Sequence, residues 1–386
     1  MQIHRQKACV PDVAEIMTFK SGKFILSRKC DDAEIRLVLL EASILYDAIK
    51  DLPILPKFAS KIDQDLIRRS IHGTAAIEGN PLDEEQVGKI LSESGQTVST
   101  DKAAIEIRNL KKAYGELMVR KTDTGGPLHL SESYIRDVHK TITFGIDHPT
   151  NEPGVYRNHR VAVGDRDHGG KYVPPKALVD INHIMSGLIE WINNESNLNS
   201  HPFIRAAIAH YHLGKIHPFG DGNGRTARFV EAAILTSAGY KYIPKALSNY
   251  YYKNEDDYYI AFRQAEKDSN GDITPFVHFV LNGIVASLRE MKAKITVQIR
   301  ILVLRDYIRF LKLSKAISQR QYDLLTILLE RFASFTIKDL FAVSPFNVLY
   351  RKISEDTARR DLKRLKELKL LSKENNSYRL NLEALG

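Results

Sequence analysis

The sequence predicts a mainly α-helical chain with two small β-hairpins, and three observations carry the prediction. Apolar residues recur at helical spacing on both sides of the stretch His217–Arg228. Serines stand where helices would start, at Ser131 and at Ser354, each followed by an acidic residue. Only two segments read as hairpins: Asn158–Gly164, which alternates polar and apolar residues and returns at Lys171–Val173, and the turn Asn375-Asn376-Ser377 leading into Tyr378–Leu380.

In chain order, Ile62, Leu66, Ala76 and Ile77 give an apolar face to a helix over about 60–78, stopped by Gly79-Asn80-Pro81. A further helix starts near Ile105, and another after Ser131. Ile204, Ala207, Ile208 and Tyr211 predict an amphipathic helix from Pro202 to about Ile216. A second helix runs from Arg225 to about Ala238, with Gly239 at the position of a C-terminal cap. A long helix or helix pair covers about 275–312, where Pro, Gly and Ser are sparse. Gln319–Arg331 is helical, Thr336 caps a short helix through Leu340, and Ser354 opens a helix to about Lys369.

Composition sets outer limits. A chain of 386 residues fits two or three domains, and 43% hydrophobic with 27% charged residues is ordinary for a soluble protein. The net charge of +9 suits an acidic partner, although a solvated basic surface accounts for it equally well. Cys9 and Cys30 give no disulfide framework, so a reducing cytoplasm is the expected setting. The first twenty residues lack the apolar core of a signal peptide, and the apolar run over 276–288 is too short to span a bilayer. No membrane association is expected.

The chemistry concentrates in His217-Pro218-Phe219-Gly220-Asp221-Gly222-Asn223-Gly224-Arg225-Thr226-Ala227-Arg228. A histidine can take a proton near neutral pH, and an aspartate can hold a hard divalent cation. Gly-Asn-Gly lets backbone N–H groups approach an anion, and arginine presents a planar fork to phosphate oxygens. The loop opens a helix, whose free N–H groups and dipole favour an anion. Arg225 and Arg228 are three apart and share a face of it. No Gly-Lys-Ser/Thr follows the glycines, which excludes a phosphate-binding loop of the Walker type. No strand precedes the loop, as a dinucleotide fingerprint requires. A zinc site from His210, His212 and His217 is disfavoured, because the first two stand two apart on a helix and point to different sides.

The stretch matches His-x-Phe-x-Asp-Gly-Asn-Gly-Arg-x-x-Arg without departure and so resembles the signature of the Fic family. The resemblance implies a helical core around the loop and transfer of AMP from ATP to a Ser, Thr or Tyr hydroxyl of a target protein, or of the chain itself, with release of pyrophosphate. It implies that His217 is the general base and Phe219 a buried anchor of the loop, and that Asp221 holds Mg2+. Gly222, Asn223 and Gly224 would form the anion hole, and Arg225 and Arg228 would hold the β- and γ-phosphates. Gly224 stands where relatives that phosphorylate carry lysine, which favours AMP transfer. Transfer of another nucleotide, or removal of AMP, stays open.

Glu78 in a last helical turn would sit at the negative end of the helix dipole, costing roughly 0.3–1 kcal/mol if exposed, unless a cation is near. Read by itself it is an ordinary solvated glutamate. Thr74-x-x-x-Glu78-Gly79, however, resembles the inhibitory helix of Fic proteins. That likeness implies that Glu78 pairs with Arg228, Thr74 joins the same plug, and the seat of the ATP γ-phosphate is blocked. The hairpin with Val161, Ala162 and Val163 resembles the family's flap, which pairs main chain with the target by strand addition; Pro153–Arg157 just before it also fits. Tyr250, Tyr251 and Asn254 resemble the nucleoside-facing region, although tyrosines at helical spacing are equally core residues. A homodimer is implied by the habit of relatives.

The order of elements after Ser318 resembles a winged helix with Ser354–Lys369 as its recognition helix, although the segment 342–352 is longer than a tight helix-turn-helix connection. Thr357, Arg359, Arg360 and Lys363 would meet DNA phosphates. A protein-interaction module is the alternative, since Glu355, Asp356, Asp361 and Glu367 dilute the positive face. The expected organisation is an extension over 1–105, a catalytic core over 106–290, a helical linker over 291–317 and the winged helix over 318–386. A DNA-binding regulator with a nucleotide-sensing core is the rival function.

Overall fold

The computed structural model describes residues 12–93, 101–119, 126–331 and 333–384. Cys9 lies outside them, and Cys30 is half-buried and forms no disulfide among the described residues. The chain divides into two compact units, one from the described residues of Met1–Asp51 and Leu55–Glu290, the other from Leu52–Ile54 and Met291–Gly386.

The first unit begins with a hairpin absent from the sequence reading, β1 (Val13–Met17) and β2 (Lys23–Ser27). Its turn is held by Asp180, whose carboxylate accepts from Phe19 N at 2.8 Å, Lys20 N at 3.1 Å and Ser21 Oγ at 2.7 Å. Helices follow: α1 (Asp32–Lys50), α2 (Pro56–Ala76), α3 (Glu84–Ser92), α4 (Lys102–Val119), α5 (Glu132–Thr143), α6 (Leu178–Ile192) and α7 (Glu195–Leu198). Next come α8 (Pro202–Ile216), α9 (Asn223–Ser237), α10 (Leu247–Lys253), α11 (Glu255–Lys267) and α12 (Thr274–Leu313), whose last part belongs to the second unit.

The helix expected to be amphipathic, α8, is instead buried on nearly every face, from Phe203 through Leu213. It is packed from all sides, so its polar members must find partners inside. Arg205 donates to Leu128 O at 2.7 Å, and His212 lies 2.8 Å from Ser27 O. α9 is buried in the same way. Ile71 and Ala75 of α2 pack into a core with Ile107 and Leu110 of α4, Val138 and Ile142 of α5, and Phe229 and Ala233 of α9. At Gly73 the α2 backbone comes so close to α10 that a Cβ would stand 2.7 Å from Ser248 O. These contacts aim the end of α2 at the start of α9.

The expected strand over 158–164 does not form. Val163 and Tyr172 make one isolated bridge, closed by two N–H···O bonds of 2.8 Å. The ladder stops there because the His159 and Pro175 carbonyls accept from the Arg157 guanidinium, at 2.7 and 2.8 Å. Pro174 and Pro175 also lack the N–H groups a ladder needs.

The second unit contains the rest of α12, then α13 (Gln319–Arg331), α14 (Ile337–Ala342), α15 (Phe346–Tyr350), α16 (Glu355–Glu367) and the hairpin β3 (Leu371–Glu374) with β4 (Ser377–Leu380). The linker residues of α12 take part in its core, where Ile301, Leu304 and Ile308 pack with Leu324, Leu328, Leu362 and Leu365. Asp361, which reads as surface charge, is buried and accepts from Arg320, Gln321 and Tyr350. The short helix α15 fills the long segment before α16. Among the described residues no helix is long and apolar enough to cross a membrane.

Two wholly buried histidines of the first unit make its stability acid-sensitive. Burial lowers His139 to about 4 and His212 to about 3. Both stay neutral in the fold and protonate near 6.5 once unfolded. The unfolded chain therefore binds more protons below pH 6.5, and stability is lost as pH falls from there toward 4. Between pH 7 and 5.5 the two should remove about 2–3 kcal/mol. Urea unfolding should show a clearly lower midpoint at pH 5.5, and an unchanged midpoint would contradict the burial of neutral rings.

Candidate active site

α8 ends at His217, whose N–H donates to Leu213 O at 3.0 Å and whose φ is +51°. This left-handed conformation is unusual for a non-glycine residue and turns the chain sharply off the helix axis. Nδ1 lies 3.3 Å from Gly214 O. A carbonyl only accepts, so Nδ1 carries the hydrogen and Nε2 is left with a lone pair. Burial, aided by the Arg157 charge, lowers the ring to about 4, so it is neutral at physiological pH.

The loop is clamped from inside and outside. The Asn223 side chain accepts from Phe219 N and donates to Phe219 O, both at 2.9 Å. Phe219 is only 1% exposed and stacks on His139 with ring centroids 3.7 Å apart. His139 Nδ1 accepts from Gly154 N at 2.9 Å, which leaves Nε2–H to donate to Asp221 O, also at 2.9 Å. At Gly220 a Cβ would stand 2.1 Å from Thr150 O, so only glycine fits. Arg157 ties the other side. Its Nε donates to His217 O at 2.7 Å and its N–H to Pro218 O at 2.9 Å. The same guanidinium holds the segment around Val163, so one side chain links loop and flap.

Gly222 adopts φ +73° and starts α9 with no side-chain cap. The N–H groups of Asn223, Gly224 and Arg225 thus face the loop without helical partners. Two guanidinium groups stand beside them. Arg225 is held between Glu106 at 2.5 Å and Asp221 at 2.9 Å. Arg228 donates through Nε to Thr74 Oγ1 at 2.8 Å and through Nη2 to Glu78 Oε1 at 2.6 Å. Burial pushes the Glu78 carboxyl up, but the Arg228 and Arg225 charges outweigh it and hold the group below its ordinary range. Asp221 is also held low, with burial opposed chiefly by Arg225. The acids Glu78, Glu106 and Asp221 outnumber Arg225 and Arg228, so an anion that reaches for either guanidinium competes with a carboxylate for it. Glu78 is the natural one to leave: it lies beyond the end of α2, in a turn closed by Gly79 at φ +83°, rather than in a last helical turn. Its carboxylate also covers Gly224, where a Cβ would stand 2.2 Å from Oε1.

The site thus gathers His217, Asp221, Gly222, Asn223, Gly224, Arg225 and Arg228 with Thr74 and Glu78. Asp221, paired with Arg225 and a quarter exposed, is the carboxylate of the loop that could join substrate phosphates in holding Mg2+. Among the described residues no group of three or more acids, histidines or cysteines forms a self-sufficient metal site. Val161 and Val163 are half-buried and Ala162 exposed, along an edge with a single bridge. The expected adenine pocket needs correction at Tyr251. It is fully buried, and its hydroxyl donates to Glu231 at 2.9 Å, so it is core. Asn254 caps α10 on Tyr250 O at 2.8 Å, and Tyr250 packs against Gly283 and Phe279. Tyr258 and Tyr259 are the aromatics beside the Glu78–Arg228 pair, and the Tyr259 hydroxyl lies 3.4 Å from Ile77 O.

Glu106, His139 and Arg157 were missed as site residues. The first two carried a signal: each is a polar residue inside an apolar helical stripe, Ala103-Ile107-Leu110 for Glu106 and Ile135-Val138-Ile142 for His139. In the second unit, Arg359 pairs with Glu355, Arg360 reaches Asp356 O at 3.4 Å, Thr357 lies 3.0 Å from Ser354 Oγ, and Lys363 is exposed.

Residues 129–235 match the Fic/DOC family. Over 238 residues the chain is 28% identical to a protein adenylyltransferase Fic of Culex quinquefasciatus, covering 61% of this chain and 43% of that protein. Over 214 residues it is 31% identical to the same-named protein of Nematostella vectensis, covering 54% and 45%. The chain therefore spans under half the length of these curated relatives. A Fic family protein from Desulfovibrio desulfuricans has the same fold, with a TM-score of 0.56 at 21% identity over 92% of this chain and 97% of that one. A Fic-1 segment from C. elegans aligns with a TM-score of 0.53 at 25% identity, over 68% of this chain and 74% of the segment. On its loop, its helical surroundings and these likenesses, the chain carries a Fic/DOC family domain at residues 129–235.

Proposed function

We propose that this chain is a protein adenylyltransferase held inactive by its own Glu78. The observation that carries the reading is the Arg228 guanidinium, bound by Glu78 at 2.6 Å and Thr74 at 2.8 Å beside the uncapped start of α9. In this reading ATP phosphates take the α9 N–H groups and Arg225, and the γ-phosphate competes with Glu78 for Arg228. Mg2+ at Asp221 would neutralise charge on the phosphates. The target segment lies along Val161–Val163. Its hydroxyl gives its proton to Nε2 of His217, the oxygen bonds to the α-phosphorus, and the bond to pyrophosphate breaks. A positioned base is worth roughly 100- to 10,000-fold, and donors aimed at the phosphoryl oxygens supply much of the rest. We read the second unit as a winged helix, with α16 as the element that would meet DNA.

Incubation with Mg2+ and ATP labelled at the α-phosphate should give weak labelling of protein. Glu78→Gly should raise it by about tenfold or more, as for loss of a block worth about 1.4 kcal/mol. His217→Ala should abolish it in either background, and so should chelation of Mg2+. Equal labelling by the parent and Glu78→Gly would remove the inhibitory role of Glu78. Label that survives His217→Ala would remove the histidine base.

The pH dependence has a definite sign. A base held at about 4 is already free of its proton at pH 6, so the rate should not fall near 6.5 as for an ordinary histidine. For Glu78→Gly, kcat/KM should stay level from pH 8 to 5.5. An acid limb centred on 6.5 would contradict the buried neutral ring.

A further inference from the structure

Next to the flap lies a cleft of about 470 Å³ that the reaction outlined above does not use. Five separate segments bring cations to it: Lys20 and Lys23 of the N-terminal hairpin, Arg160 before the Val163 bridge, Lys176 after it, Lys215 in the last turn of α8, and Lys267 at the end of α11. Two carboxylates also line it, and Asp268 acts on Lys215 by its charge. Glu266 pairs with Arg263, and Asp268 accepts the N–H groups of Asn270 at 2.8 Å and Asp272 at 2.9 Å. Of the cations, Lys23 is paired with Glu15 at 2.8 Å. The others make no ion pair among the described residues.

Lys215 is the most informative of them. Its ammonium sits 5.4 Å from the ring centre of Phe24 and 5.7 Å from that of Tyr211, over two aromatic faces. It makes no hydrogen bond to the described residues. Burial lowers it to about 8, with Asp268 opposing. An ammonium held half-dry, without an acceptor, at the wall of an open cleft is a group waiting for an anion.

We propose that this cleft is a docking site for acidic side chains of the polypeptide whose hydroxyl is modified. The inference rests on the transferase reading and adds to it a sequence preference in the target. Arg160 and Lys176 belong to the same loop as Val161–Val163, so a segment lying along that edge continues directly to the cleft. The cations come from five directions around a volume far larger than one phosphate. That suits several carboxylates spaced along a chain, and it uses the positive balance of the whole protein, +9.

The test measures binding to the full chain without ATP. The probe is a fluorescein-labelled peptide with glutamates flanking a serine, compared with the same peptide carrying glutamines. The acidic peptide should bind at least about tenfold tighter, a difference of about 1.4 kcal/mol, and should weaken at high salt. Lys215→Met and Lys176→Glu should each lower its affinity several-fold, while Lys215→Arg should retain it. Lys176 is exposed, so its variant keeps the result readable if Lys215→Met misfolds. Equal affinity for the two peptides would overturn the proposal, as would acidic-peptide binding indifferent to Lys215 and Lys176. So would inorganic phosphate binding in a Lys215-dependent way where the peptide does not, since the cleft would then be a small-anion site. Because no nucleotide is present, binding that persists when AMP transfer proves absent sinks the transferase reading and leaves an acidic-peptide site standing.

Discussion

Two guanidinium groups buried at the start of one helix are the constraint around which the first unit is arranged. Arg225 is 4% and Arg228 2% exposed. Neither can lose its proton, and an unpaired buried charge costs several kcal/mol. The carboxylates that compensate them come from three places distant in sequence: Glu78 after α2, Glu106 on α4, and Asp221 in the loop. Satisfying those charges draws α2 and α4 onto α9, and the apolar packing of Ile71, Ile107 and Phe229 completes the same contact.

The three carboxylates are not equivalent. Glu106 is itself buried, is held by Asn80 Nδ2 at 2.8 Å, and sits within the core-facing stripe of α4. Asp221 is fixed through its own backbone by His139 and Asn151. Glu78 hangs from the turn after α2 and is bonded to Arg228 only through its side chain, which like that of Asp221 is about a quarter exposed. An arriving polyphosphate can replace its charge on Arg228 without unfolding anything, whereas displacing Glu106 would open a core. In the proposed reading, Glu78 and the substrate phosphate compete for one guanidinium, because a buried guanidinium needs a counter-charge.

A second constraint acts on His217, the proposed proton acceptor. The left-handed backbone at His217 is held by Leu213 O on one side and the Arg157 guanidinium on the other. Arg157 also holds the segments on both sides of the Val163–Tyr172 bridge, through the His159 and Pro175 carbonyls, so the orientation of the imidazole and the position of the Val161–Val163 edge share one side chain. His139 performs the equivalent service for the Asp221 carbonyl, and its neutrality is part of that role, since Nδ1 must accept from Gly154 N.

Much of this was legible in the order of residues. The signature His217–Arg228 specified a loop opening a helix. Pro202 and Gly239 marked the ends of α8 and α9, and Ser131, Thr336 and Ser354 marked three helix starts. These are local matters of capping and spacing, which neighbouring residues decide. The amphipathic reading of α8 failed because burial on all faces depends on how many elements surround a helix. The flap strand failed because Arg157 claimed the carbonyls a ladder would have used. Tyr251 turned out to be core because Glu231 offered its hydroxyl a buried acceptor. By itself the sequence determined the chemistry of the loop, the helical class, and the resemblance that links Glu78 with Arg228. Only the tertiary structure decided that Glu106 shares the charge of the arginines, that Arg157 couples the loop to the segments around Val163, and that Lys215 makes no ion pair among the described residues lining its cleft. Each of these joins residues far apart in the chain, and which buried charges meet is settled when the helices pack.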